Sequence, residues 1–112
     1  MPYIDARITR KLTEQEKEEL AAEFGRAISI VGKPESFLMT EISDGRELYF
    51  AGKKLTNGAY VALDVCAGQN PKEADAFTGR VCEILEKLGI PANCVYVEYR
   101  HTPDWGWNGR NF

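Results

Sequence analysis

The chain has 112 residues, with 14 lysines and arginines against 17 aspartates and glutamates, a net charge of −3 and a pI near 5.2. That size is read as one domain, residues 1–112, and the acidic balance with no basic stripe argues against a nucleic-acid partner. No apolar run approaches bilayer length and no basic-then-apolar leader opens the chain; Cys66, Cys82 and Cys94, odd in number and widely spaced, fit neither a disulfide framework nor a CxxC redox or zinc site.

The reading is therefore no membrane partner, no metal, and a reducing cytoplasm as the default compartment, with export without a signal segment left open.

In chain order, PYIDARI alternates: Pro2, Ile4, Ala6 and Ile8 share one face, and Tyr3, Asp5 and Arg7 the other, the mark of a half-buried strand. A helix follows. Thr13 and Glu16 have capping-box spacing, acidic residues crowd the first turn, and Leu20, Phe24, Ala27, Ile28 and Val31 form one stripe; Gly32 and Pro34 end it. SFLMTEI is a second strand, SDGREL a turn, LYFAG a short third strand and KKLTNG a loop. AYVALDVCAG is a long, mostly apolar strand with Asp64 as its one charge. A second helix is announced by Asn70 as cap, Pro71 at the first helical position and Glu73 at the capping-box site; Phe77, Val81, Leu85 and Leu88 are its stripe, and Gly89 and Pro91 stop it. CVYVEY is a further strand, and HTPDWGWNGRNF a tail rich in turn formers and aromatics.

The grammar strand–helix–strand thus occurs twice, from Pro2 and from Ala59. It predicts an α/β fold: one sheet with both helices on one face, any parallel pair joined by a right-handed crossover. The other face would be uncovered. With Ile4, Ala6, Leu63, Val65, Val95 and Val97 in the strands, that face is expected to be apolar and to be covered by further copies of the chain.

Four features in order, Met1-Pro2 opening a strand, GKP at 32–34, VYVEY at 95–99 and WGWNGRNF at 105–112, carry a resemblance. Over essentially its full length the chain resembles the macrophage migration inhibitory factor (MIF) branch of the tautomerase superfamily. The resemblance implies two β-α-β units in a four-stranded mixed sheet, and a homotrimer in which short strands and the C-terminus reach onto neighbours. It also implies cofactor-free tautomerase activity on small aromatic α-keto acids or enols such as phenylpyruvate, or on dopachrome analogues. Members also act as cytokine-like proteins, so a receptor protein is a second class of partner.

Pro2 is then more than the start of a strand. Removal of Met1 would expose a secondary amine in a ring; an apolar pocket disfavours its charged form and lowers its pKa, giving a base that can take a proton alpha to a carbonyl and return it elsewhere. Lys33 matches the family's pocket lysine and would bind a carboxylate or enolate oxygen; most lysines are simply solvated. At the position of Ala67 the resemblance implies a backbone amide offered to substrate; equally, Ala67 would end its strand by bonding to a neighbour. Tyr96 and Glu98 share a face of their strand, which the family brings from the adjacent subunit. Glu98 stands where the best-known members carry asparagine; ionised, it only accepts hydrogen bonds, and it would repel an acidic substrate unless protonated or paired with Lys33 or Arg100.

Phe37, Trp107 and Phe112 would form an aromatic rim and wall suited to an aryl group. Trp105, where many relatives are aliphatic, would narrow the pocket mouth or pack between subunits. Cys66 reads as a small buried apolar residue and His101 is given no role. The family's redox CxxC is replaced by Ala59 and Ala62.

Three functions follow: a phenylpyruvate-type tautomerase; a MIF-like binding protein with a vestigial pocket, its contacts centred on the loop at 43–49; and hydration or dehalogenation by the same Pro2, with Glu98 activating water.

Overall fold

The computed structural model describes residues 1–68 and 70–112. Strand β1 (Pro2–Ile8) is followed by helix α1 (Glu14–Ala27), β2 (Met39–Ser43), the short β3 (Tyr49–Phe50) and β4 (Lys53–Lys54), β5 (Ala59–Cys66), α2 (Pro71–Glu86), β6 (Val95–Thr102), and the terminal pair β7 (Gly106–Trp107) and β8 (Arg110–Asn111). The main sheet runs β2-β1-β5-β6. Its outer pairs are parallel and its central pair, β1 with β5, is antiparallel. This is the expected α/β architecture, two β-α-β units forming a four-stranded mixed sheet with both helices on one face.

Local chemistry explains the helix starts. The Thr13 hydroxyl accepts from the Glu16 N–H at 3.1 Å, and the Glu16 carboxylate accepts from the Thr13 N–H at 2.9 Å. These two reciprocal bonds satisfy backbone donors the helix cannot. The Asn70 side chain accepts from the Lys72 and Glu73 amides, and Pro71 occupies the first position, where its missing N–H costs nothing. At the other end α1 stops sooner than its stripe suggests. Ile28–Val31 tighten into a 3-10 turn, and Gly32 then turns the chain with φ of 72°.

The second strand also begins later than expected. Glu35–Phe37 form a 3-10 turn in which the Pro34 carbonyl accepts from the Phe37 amide, so pairing starts at Met39. Lys53–Lys54, expected in a loop, pairs with Tyr49–Phe50 across Ala51 and Gly52, both at positive φ.

The largest departure concerns the two faces of the sheet. Ile4, Ala6, Ile8, Val61, Leu63 and Val65 pack with Leu20, Phe24 and Ile28 from the first helical segment and with Phe77, Val81 and Leu85 from α2; Val95 and Val97 lean on the same cluster. Strand alternation then sends Tyr3, Asp5, Arg7, Tyr60, Asp64, Tyr96, Glu98 and Arg100 to the opposite side. The uncovered face is therefore polar and charged, not apolar. The helices consume the apolar side because their own stripes need it, and the apolar-face argument for self-association falls.

Candidate active site

The start of the chain and Lys33 meet on the backbone of one residue. Pro2 is buried opposite Val65 at the beginning of β1. The Met1 carbonyl accepts from the Cys66 N–H at 3.2 Å, and the Cys66 carbonyl accepts from Lys33 Nζ at 3.1 Å. Gly32 makes this approach possible: its left-handed turn swings Lys33 out of the helical segment toward the end of β5. The Met1 amine sits half-buried here, and its pKa lies below that of an ordinary terminal amine. Burial is the main cause and the Lys33 charge the next, opposed by Cys66. Lys33→Met is accordingly expected to raise the pKa of the Met1 amine, read from the pH dependence of its chemical labelling. An unchanged titration would mean the lysine charge does not reach the amine.

An open groove of about 990 Å³ runs from Met1 and Pro2 along β2, walled by Phe37, Met39, Glu41 and Trp107. The Phe37 and Trp107 rings meet edge to face, with centroids 5.5 Å apart. Trp105 also lines the groove, in keeping with a residue that narrows the mouth. The hairpin of β7 and β8 delivers both tryptophans. Its turn is Asn108-Gly109, each at positive φ.

Two expected residues stand differently. Phe112 ties its amide to the Trp105 carbonyl at 3.1 Å, but its ring is mostly exposed and is not part of the groove wall. The Ala67 N–H donates to the Thr102 carbonyl at 3.0 Å. The β5–β6 ladder continues one residue past β5, so a substrate could use that amide only by displacing Thr102. Sequence reasoning missed Tyr3 and Glu41, joined by a 3.3 Å hydrogen bond from the tyrosine hydroxyl. Their meeting depends on the β1–β2 register, which no local pattern announces.

Tyr96 and Glu98 lie elsewhere. Pro2 is aligned with Val65 and, beyond it, His101; Tyr96 is aligned with Tyr60 and Arg7. Tyr96 is thus two strands across from Pro2 and five residues along, the second offset alone being about 16 Å. Its ring packs edge-on against Phe50, at 5.7 Å, beside a separate cavity of about 310 Å³ that Arg7, Tyr49, Leu55 and Tyr60 also line. Glu98 pairs with Arg100, one of the two partners the sequence offered, and not with Lys33. Within one chain Pro2, Phe37 and Trp107 line one groove, Lys33 reaches the chain start through the Cys66 backbone without lining that groove, and Tyr96 and Glu98 lie at the far edge.

Among the described residues no cluster of His, Cys, Asp and Glu is arranged to hold a metal, and no helix is long and apolar enough to cross a membrane.

No family model matches the chain. The crystal structure of MIF2 from Leishmania major matches it with a TM-score of 0.93 at 34% identity, covering 100% of this chain and 97% of that one. A macrophage migration inhibitory factor homologue of Trichinella spiralis is 27% identical over 115 residues, spanning 100% of both chains. A protein described as a fused 4-OT symmetric trimer shares the fold, with a TM-score of 0.85 at 21% identity over 97% of this chain and 94% of that one.

Proposed function

Because this chain belongs to the macrophage migration inhibitory factor family of the tautomerase superfamily, we propose that it is a cofactor-free keto–enol tautomerase of small aromatic α-keto acids such as phenylpyruvate. The base is the Pro2 nitrogen, freed by removal of Met1. The observation that carries this reading is the convergence of the chain start and Lys33 on Cys66, at the end of a groove with an aromatic wall.

Bonded to Met1, the Pro2 nitrogen is an amide and has no basic lone pair to offer. Once Met1 is gone it is a secondary amine in the same buried, lysine-flanked place, where the neutral form is favoured. That nitrogen takes a proton from the carbon next to the substrate carbonyl. The electron pair moves onto the carbonyl oxygen, where the Lys33 ammonium stabilises the charge, and the protonated ring then returns the proton to the oxygen. Phe37 and Trp107 hold the aryl ring.

The reading includes a homotrimer in which Tyr96 and Glu98 complete the site of the next copy. Support comes from their distance from Pro2 within one chain and from the fold neighbour described as a symmetric trimer. A solution mass other than three chains would remove both residues from the site.

The deciding experiment compares phenylpyruvate tautomerisation by the Met1-free chain and by a chain retaining Met1, each verified by intact mass. The Met1-free protein is expected to be faster by about a hundredfold or more, the scale of a positioned base. Equal rates would overturn the mechanism and leave the MIF-like binding protein as the function. Consumption of substrate without isomer would mark hydration or dehalogenation instead.

A further inference from the structure

Glu98 is the feature most at odds with an acidic substrate, and the structure surrounds it with donors. Its Oε1 accepts from Tyr60 Oη at 2.5 Å and from Arg100 Nε at 2.8 Å, with Arg100 Nη2 at 2.7 Å. Arg100 Nη2 also donates to Tyr60 Oη at 2.7 Å, and Nη1 lies 3.6 Å from Asp64 Oδ1. The Arg7 guanidinium sits over the Tyr60 ring, 5.5 Å from its centre, and steadies the tyrosine. The hydrogen bond from Tyr60, then that from Arg100, holds the Glu98 carboxyl below the usual carboxylate range, so it is an anion at neutral pH.

An anion at this place is costly for a carboxylate substrate unless its field is cancelled nearby. Arg100 is two residues further along the same face of β6, so both groups travel together to wherever that edge is presented. All three guanidinium nitrogens already face Glu98, Tyr60 or Asp64. Arg100 is thus placed to act through Glu98 and not by gripping a substrate itself.

We propose that Arg100, locked onto Glu98 with Tyr60, is a positioning residue for substrate charge: it cancels the Glu98 carboxylate and so makes the β6 edge compatible with α-keto acids. This rests on the tautomerase reading, in which β6 of one copy borders the site of the next. Without the arginine the same edge would favour uncharged carbonyl compounds over acids.

The test measures kcat and KM for phenylpyruvate and its methyl ester with Met1-free wild type, Arg100→Gln, Arg100→Lys, Glu98→Gln and the double variant Glu98→Gln/Arg100→Gln. Arg100→Gln is expected to raise KM for the acid about tenfold, the order of one uncovered and partly screened charge, with kcat and the ester KM within about twofold. Added salt should narrow the defect. Arg100→Lys and the double variant should restore the acid KM.

Equal damage to acid and ester, or no restoration in the double variant, overturns the proposal. If Arg100→Gln does not fold, Glu98→Gln decides: it leaves Arg100 uncompensated and should lower the acid KM relative to the ester. An unchanged ratio overturns the proposal as well. Wild type inactive on both substrates would instead overturn the tautomerase reading, and this inference with it.

Discussion

Pro2→Gly, made in a chain freed of Met1, is expected to lower kcat for phenylpyruvate by about a hundredfold with little change in KM. Glycine keeps a terminal amine but not the ring. The ring is buried at the first residue of β1, and it fixes where the nitrogen lone pair lies relative to the groove. A base free to swing by an ångström forfeits that order of rate. On the proposed mechanism Lys33, Phe37 and Trp107 would still bind the substrate, so KM should be spared. The pH profile gives a second readout. Burial and then the Lys33 charge, opposed by Cys66, lower the pKa of the Met1 amine, and the same surroundings are expected to lower that of a freed Pro2 nitrogen and to enlarge its neutral fraction at pH 7. The rising limb of kcat/KM should accordingly fall below the ordinary terminal-amine value of about 8. In Lys33→Met it should move up. A Pro2→Gly enzyme with unchanged kcat would show that the ring nitrogen is not the base.

Signals that act over a few residues were legible in the sequence; those that require two strands to be laid side by side were not. The capping box of Thr13 and Glu16 and the Asn70-Pro71 start are contained in four residues each, and the structure forms both helices from them. Strand alternation was equally local, yet it does not say which face the helices take. Ile4 and Leu63 were assigned to an uncovered surface, whereas the demand of Phe24 and Phe77 for an apolar partner pulls them inward. The terminal hairpin turns at Asn108-Gly109 within what reads in the sequence only as a tail rich in turn formers, because strands of two residues carry no period to recognise. The same division runs through the site. The roles read for Pro2 and Lys33 came from the family resemblance, and Phe37 and Trp107 were read as aromatic walls; Pro2, Phe37 and Trp107 do line one groove. Tyr3 with Glu41 follows from register alone, and Phe112, mostly exposed, is not among the groove's walls.

The family resemblance also supplied Tyr96 and Glu98, and one chain leaves them far from Pro2, Tyr96 two strands across and five residues along. Glu98 shows how a departure from a family pattern can be compensated within the same strand. Arg100 is visible in the sequence two residues on, but Tyr60 enters from β5, and the three-way contact exists only because Tyr60 and Tyr96 are register partners.

Phe77→Ala is expected to cost about 3–5 kcal/mol of stability, the usual toll for emptying a buried aromatic site. The ring is fully buried beneath the sheet and meets Tyr99 edge to face, with centroids 6.3 Å apart. Tyr99 Oη in turn donates to the Ala74 carbonyl at 2.6 Å and lies 2.6 Å from Thr78 Oγ1. Phe77 is thus the apolar half, and Tyr99 the polar half, of the joint that seats α2 on β6. Total stabilities of small domains are about 5–15 kcal/mol, so the loss is a large share of the whole. Denaturant titration should show a lower midpoint with an unchanged slope, since the change is one of packing and not of compactness. Wild type and variant must be compared at one protein concentration, because self-association adds to apparent stability. A cost below about 1 kcal/mol would mean that α2 does not depend on this joint, and that β6 is held in register by its hydrogen bonds to β5 alone.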